Sequence, residues 1–385
     1  MRGALIALTL AATACSERAR PPAIRFLHTF NGKETELFNA TMAERAIAVE
    51  PMLVPFARGQ QVISEILHAG TGCPDLIRID ATWLPGLVAN GLLVEPPPEL
   101  TGLDWLPEAQ ALAQLGDRWW SLPQSLDGLI VIRDVATPAP ASPSVDDLVA
   151  AARAQRTPTR RYPLGIRVDG YWFVPWLRAE GGELSAHGVA GDGADSAIRA
   201  MEHFAQLFGD VSPPPPPLGG EAPDEVRRWH AHEIAYWLTG PWQFVDLRDR
   251  ARIAVSPLAH APRGGQLLVV PRCAKHPADG WRLASELTSL AIEVRFAEGL
   301  SGAPTRRAAL DGAPALSRMV YEALRGAEML PREPVTPLLF DDLIPALAAA
   351  VAGDATAEEA AAGVRRGWQR LTRPATRPPA AGGRP

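Results

Sequence analysis

Between Ala23 and Pro96, short apolar runs alternate with helical periodicities, and this alternation constrains the fold more than any other feature of the chain. AIRFLHTF, Ala23 to Phe30, reads as a buried strand, followed by the loop NGKET and a helix from about Glu34 to Arg45. Ala48 to Phe56 is a second strand whose prolines point to a sheet edge. Gln60 to Ala69 places Val62, Ile63, Ile66 and Leu67 on one helical face, and Asp75 to Asp80 is a third strand ahead of the helical ATWLPGLVANGLLVEP. Strands separated by helices imply crossover connections, so the fold class is α/β with a mainly parallel sheet. At 385 residues the chain is too long for one ordinary core and is expected to form two domains.

Farther along, Trp119 to Asp134 (WWSLPQSLDGLIVIRD) reads as two extended pieces separated by a Pro-bearing bend, the form of a crossing between lobes. Val145 to Ala154 is helical, Pro163 to Val168 extended, Asp195 to Phe208 helical, and Pro213 to Pro217 a stiff surface run. Arg252 to Leu258 and Gln266 to Pro271 read as strands about a Gly264-Gly265 turn. Trp281 to Ala297 reads as one amphipathic helix with Leu283, Leu287, Leu290 and Val294 on its apolar face. Thr356 and Glu359 form a capping box for the last helix, whose buried stripe is Ala361, Val364, Trp368 and Leu371. The aromatic stretch AYWLTGPWQF, Ala235 to Phe244, fits either a strand closed by a Gly-Pro turn or the floor of a cleft.

The net charge of -5 is mild and no dense Lys/Arg block occurs, which argues against a nucleic-acid partner. The first residues, MRGALIALTLAATAC, carry one charge at Arg2, an apolar run from Ala4 to Ala12 and small residues leading to Cys15. That run is well short of the ~20 residues a bilayer span needs, so residues 1–14 read as a secretion signal. Ala12 to Cys15 resembles a bacterial lipobox, which makes Cys15 the expected lipidated first residue and a membrane anchor. Cys73 and Cys273 are an even pair in an exported chain and invite a disulfide, although separation alone does not say that they meet. Thr372 to Pro385 lacks apolar anchors and is expected to be disordered.

Catalytic patterns are sparse. Gly299-Leu300-Ser301-Gly302 is not a nucleophile elbow, and the Gly pairs at 181, 219 and 264 lack the context of a phosphate-cradling loop. His230 and His232 are two apart and on a helix would point away from one another, so they read as solvated residues and no metal site is expected. No cofactor is implied. What remains is a set of aromatics and acids read as loop residues: Asp80, Trp83, Asp127, Tyr171, Trp172, Trp242 and Phe340. Ring faces that stack on pyranose faces, with carboxylates accepting from hydroxyls, suit a neutral polyol bound without turnover.

The order of these segments resembles the extracellular solute-binding proteins of ABC importers, in the sugar-binding family 1 typified by the maltose-binding protein. PDLIRIDATWLPGLVANGLLVEP is similar to that family's third strand, ligand loop and helix, and LPQSLDGLIVIRD to its first crossing between lobes. DGYWFVPWLRAEGG resembles its aromatic ligand segment, LTGPWQF its Gly-Pro-Trp loop, and GAPTRRAAL its late segment before the final return. The resemblance implies a two-lobed periplasmic-binding-protein-like (type II) fold, with an N-lobe of 20–125 plus 262–312 and a C-lobe of 128–258 plus 313–371. It places the hinge near Pro123 to Val131, Ala259 to Gln266 and Ala308 to Ala313. It also implies a hydroxyl-binding role for Asp80, stacking roles for Tyr171, Trp242 and Phe340, and looser ligand roles for Trp83 and Asp127. Asn31, Lys33 and Glu34 fall in a loop that faces the cleft in the family. Gly170 stands where the maltose binder has Pro, so maltodextrin specificity is not implied.

In the same family the strand that returns to the N-lobe lies antiparallel beside the third strand, which implies a Cys73–Cys273 disulfide. The function implied is a monomeric, non-enzymatic, exported protein that delivers a small-molecule solute, a mono- or oligosaccharide, to an ABC permease. A non-sugar solute such as a polyamine or glycerol phosphate, and a secreted glycoside hydrolase, are the rival expectations.

Overall fold

The computed structural model describes residues 23–185, 193–215 and 224–372. The leader with Cys15, part of the proline run and the tail after Thr372 lie outside the described residues.

Strand β1 (Ile24–His28) lies between β2 (Val49–Leu53) and β3 (Leu76–Asp80) and is parallel to both. Helices Gly32–Glu44 and Phe56–Ala69 provide the crossovers. Covered on both faces, β1 is buried almost throughout, whereas β2 exposes Glu50, Pro51 and Leu53 at the sheet edge, where a proline costs no ladder bond. The next strands are β4 (Leu93–Val94), a small hairpin of β5 (Gln114–Leu115) and β6 (Arg118–Trp119), then β7 (Leu122–Gly128) and β8 (Ile130–Asp134). They are followed by β9 (Leu164–Gly165), β10 (Tyr236–Thr239), β11 (Ile253–Ser256), β12 (Pro262–Pro271) and β13 (Glu328–Met329).

Two sheets result. The first runs β13-β12-β3-β1-β2, with β4 and β7 also paired to β12; the second runs β11-β8-β10-β9. The chain passes from the first to the second between β7 and β8 and returns between β11 and β12, so each sheet is assembled from non-consecutive pieces. Strand β12 is antiparallel to β3, and Cys73 and Cys273 at their neighbouring ends form a disulfide with Cα atoms 5.8 Å apart.

The first sheet packs Phe26, Phe30 and Phe38 together, and the second is covered by Phe173, Trp176 and Phe204 in edge-to-face contact and by Trp368. Helix Ala315–Arg325 packs on β7, β8 and β11, and its buried Val320 and Leu324 join the two regions with Ile130, Ile132 and Trp237. The capping box at Thr356 and Glu359 is formed, and Ala361, Val364 and Trp368 are buried behind it.

Several local expectations are corrected. Gly264 and Gly265 do not turn the chain; they lie inside β12, where a Cβ on Gly265 would sit 2.3 Å from the Ser125 carbonyl oxygen. The two long extended pieces of Trp119 to Asp134 part at Leu129, just after Gly128 with its φ of 150°, rather than at a proline. Pro123 instead flanks a bulge in which Gln124 is the extra residue between β7 and β12. Trp281 to Ala297 is not one helix. Helices Pro277–Leu287 and Leu290–Leu300 part at Thr288, whose hydroxyl donates to the Ala284 carbonyl, and at Ser289, whose backbone is extended. Leu290 is accordingly exposed. Only Leu164–Gly165 of the Pro163 to Val168 stretch is strand, and His232 lies beyond the helix Glu225–His230 with φ of 56°.

Candidate ligand site

The register of β3, β12 and β7 brings a polar stripe onto one sheet face. Gln266 is opposite Asp80 on β3 and opposite Ser125 on β7, while Asp127 is opposite Gly264. Because side chains alternate along a strand, Asp80, Gln266, Gly264 and Asp127 share that face. Gln266 Nε2 donates to Asp80 Oδ2 at 3.4 Å and to Asp127 Oδ2 at 3.3 Å, so one amide joins the two carboxylates. Asp80 Oδ1 is held by the backbone N–H of Thr82 at 2.8 Å and by its hydroxyl.

Arg78, two residues before Asp80, is buried at 4% exposure and organises the neighbouring groups. It donates to Gln124 Oε1 at 2.8 Å, Thr29 Oγ1 at 3.2 Å and Glu34 Oε1 at 3.1 Å, and its guanidinium lies 4.4 Å from the centre of the Phe30 ring. The bulge at Gln124 turns that side chain toward Arg78. Glu34 also closes a capping box: its Oε2 accepts from the Asn31 N–H, and Asn31 Oδ1 accepts from the Glu34 N–H, both at 2.8 Å. Asn31 and Glu34 thus fix the start of the first helix, and Glu34 joins it to the stripe. Lys33 pairs with Glu36 on the surface.

The opposite side comes from the second sheet region. Asp169 caps helix Gly170–Ala179 by accepting from the Tyr171 N–H at 2.8 Å, so Tyr171 and Trp172 occupy a helix start rather than the loop expected. The Tyr171 ring is edge-on to Trp172 with centroids 6.0 Å apart, and Trp172 is edge-on to Trp242 at 6.1 Å. Trp172 is locked by its N–H to the Leu238 carbonyl at 2.8 Å. Trp242 sits in a short 3-10 helix, Pro241–Asp246, just past Gly240. Tyr236 and Trp237 of the same stretch are strand core, each 1% exposed. Phe340, in the first turn of helix Leu339–Ala352, covers Gly170, where a Cβ would lie 2.6 Å from its ring. Only glycine fits beneath that ring.

The two sides meet at Gly264. A Cβ there would stand 3.1 Å from Asp127 Oδ1 and 3.6 Å from the Tyr171 hydroxyl, which donates to the Pro262 carbonyl at 3.2 Å. Burial and the charge of Asp80 push Asp127 up to about 7, and burial also raises Asp80 against the pull of Thr82 and Arg78. Burial, followed by these two carboxylates, holds the Tyr171 phenol well above its ordinary value.

Trp83 lies apart from these contacts. It is 7% exposed, its ring over Gly59 and 5.3 Å from Phe56, and it lines a cavity of 140 Å³ with Leu87 and Pro334. A larger cavity, 520 Å³, lies between β11 and helix Ala315–Arg325 and touches none of the sequence-derived ligand positions. Sequence reasoning passed over Arg78, Gln124 and Gln266. A basic residue inside the apolar run LIRID is a signal for the first, but the other two depend on a register that only the fold supplies.

Neither a protein-family model nor a curated protein matches the sequence. Solved structures do match. The GacH receptor of Streptomyces glaucescens, determined unliganded and with acarbose, superposes with a TM-score of 0.75 and 22% identity over 91% of this chain and 98% of its own. Maltose-bound MalE3 of T. maritima gives a TM-score of 0.76 at 18% identity over 91% of this chain and 99% of its own. An ABC transporter solute-binding protein from Thermotoga lettingae bound with α-D-tagatose gives 0.71 at 22% over 91% and 98%. At these identities the likeness establishes the fold, so the chain has the two-lobed α/β architecture of these binding proteins.

Proposed function

We propose that this protein is the solute-capturing component of an ABC importer and that its solute is a mono- or oligosaccharide. The observation that carries this is the seam at Gly264, where Tyr171, in line with the rings of Trp172 and Trp242 and on the helix that Phe340 covers, meets a stripe of carboxylates and amides around Asp80, Asp127 and Gln266. Ring faces take the apolar face of a pyranose and the stripe takes its polar edge. The sugars bound in the similar structures, acarbose, maltose and tagatose, support the same class.

On this proposal the N-lobe is 20–125 plus 262–312 and the C-lobe 128–258 plus 313–371, and the crossings at β7–β8 and β11–β12 act as the hinge. Solute favours closure only through contacts that improve when the walls approach, and walls drawn from opposite lobes provide that difference. The protein acts without turnover as a monomer, exported and tethered through lipidated Cys15, and hands its solute to permease subunits. Isothermal titration against a panel of mono- and disaccharides tests the proposal. It expects saturable heat from at least one; heat from none of them overturns it.

A further inference from the structure

The seam has an uneven hydrogen-bond inventory. Arg78 spends its donors on Gln124, Thr29 and Glu34. Gln266, 7% exposed, spends Nε2 on the two carboxylates, and its Oε1 has no partner among the described residues. Tyr171 gives its one hydroxyl proton to the Pro262 carbonyl and is left with lone pairs. Asp127 Oδ1 accepts from no donor among the described residues, yet it and the Tyr171 hydroxyl converge on the space left by the missing Gly264 side chain. With the Gln266 amide protons and the Tyr171 hydroxyl proton already engaged, what the groups at that space have left to offer a ligand is mainly acceptor capacity. Charge is uneven as well, since Glu34, Asp80 and Asp127 surround the single guanidinium of Arg78.

We infer that the solute carries a protonated amine, making it an amino sugar, with the ammonium seated among Asp127, Asp80, Gln266 Oε1 and the Tyr171 hydroxyl; this rests on the saccharide function proposed above. A sugar hydroxyl brings one proton and no charge to such a site. An ammonium brings three protons and the missing positive charge.

A pH linkage accompanies this seat. Without a cation, Asp127 titrates near 7, facing Asp80 and Arg78 of β3, Glu34 of the first helix, Gln266 of β12 and Tyr171 of the aromatic helix, with Asp169 and Arg178 acting on Tyr171 from its own helix. An ammonium beside Asp127 lowers that value, so binding at about pH 6, where an amino-sugar amine is still charged, releases a proton, and affinity rises with pH only until the amine itself loses its charge. A neutral sugar brings no charge to lower it.

The test is calorimetry on the intact protein with three matched probes: glucosamine oligomers, their N-acetylated counterparts and glucose oligomers of the same length, each in buffers of different ionisation heat. The amine form is expected to bind about tenfold or more tighter than either counterpart, with proton release. Asp127→Asn is expected to shrink that preference and abolish the release. A neutral probe that binds as tightly as the amine, or amine binding without proton release, overturns the amino-sugar inference and leaves the saccharide function standing. Heat from none of the probes, alongside heat from a plain diamine, overturns the saccharide function and the amino-sugar inference with it.

Discussion

Across the seam, the side built on β3, β12 and β7 presents carboxylates and amides fixed by a buried guanidinium, while the side built on helix Gly170–Ala179 presents ring faces fixed by packing. The first side is ordered by hydrogen bonds between strands far apart in sequence. The second is ordered by edge-to-face contacts and by a glycine beneath Phe340. The difference teaches where each side is vulnerable. The polar side loses stability when a partner is removed and leaves a buried group unmatched. The aromatic side loses affinity when a ring is removed and stability when space is overfilled.

The largest effect expected lies on the polar side. Replacing Cys73 and Cys273 together with Ala removes a crosslink between residues 200 apart in sequence. It is expected to lower stability by about 5 kcal/mol in the chain-entropy limit, read from urea unfolding. An unchanged midpoint would mean that β3 and β12 need no such link to hold their register. Next, Arg78→Ala strands Glu34, Gln124 and Thr29 and is expected to cost about 3 kcal/mol. A cost no larger than that of a surface arginine would show that the guanidinium does not organise the stripe.

Asp127→Asn sharpens the comparison through pH. The folded protein holds Asp127 above its ordinary 3.8, up to about 7, so the folded state keeps a proton that the unfolded chain has released. Stability therefore falls as pH rises from about 4 to about 7, and the variant removes that slope. At about pH 8 the empty variant is expected to be more stable than the parent by roughly 1 to 3 kcal/mol, with little difference at about pH 4. His28 works the other way: burial and Arg78 lower it from 6.5 to about 4, so its contribution is lost as pH falls through that window. Comparing variant with parent cancels the His28 slope. A parent that is the more stable of the two at about pH 8 would contradict the uncompensated charge assigned to Asp127. On the aromatic side, Gly170→Ala pushes Phe340 from its seat and is expected to cost about 1 to 2 kcal/mol by thermal unfolding. A neutral result would mean that the ring has other room.

The same contrast explains what could be read from the chain before folding. Periodicity located β1, β2, β3 and the first helices because each is a local pattern, whereas Ala235 to Phe244 fitted both a strand and a cleft floor until the fold made Tyr236 and Trp237 strand core. The disulfide followed from the family's strand order. Gly264-Gly265 was misread as a turn because paired glycines are a turn signal. Their actual role, letting β7 and Tyr171 approach β12, depends on partners far along the chain. Gln266 was invisible for the same reason: nothing near it in sequence marks a glutamine that joins two carboxylates. Trp281 to Ala297 kept helical periodicity across a break set by one threonine hydroxyl and one extended serine.

The central claim is that solute lies between these two sides against the ring of Trp242, and calorimetry of Trp242→Ala with the tightest saccharide found for the parent tests it most directly. The affinity is expected to fall by about 2 kcal/mol, roughly thirtyfold, with the unfolding midpoint little changed because Trp242 is only partly buried. Full affinity in the variant would place the solute elsewhere and contradict the account.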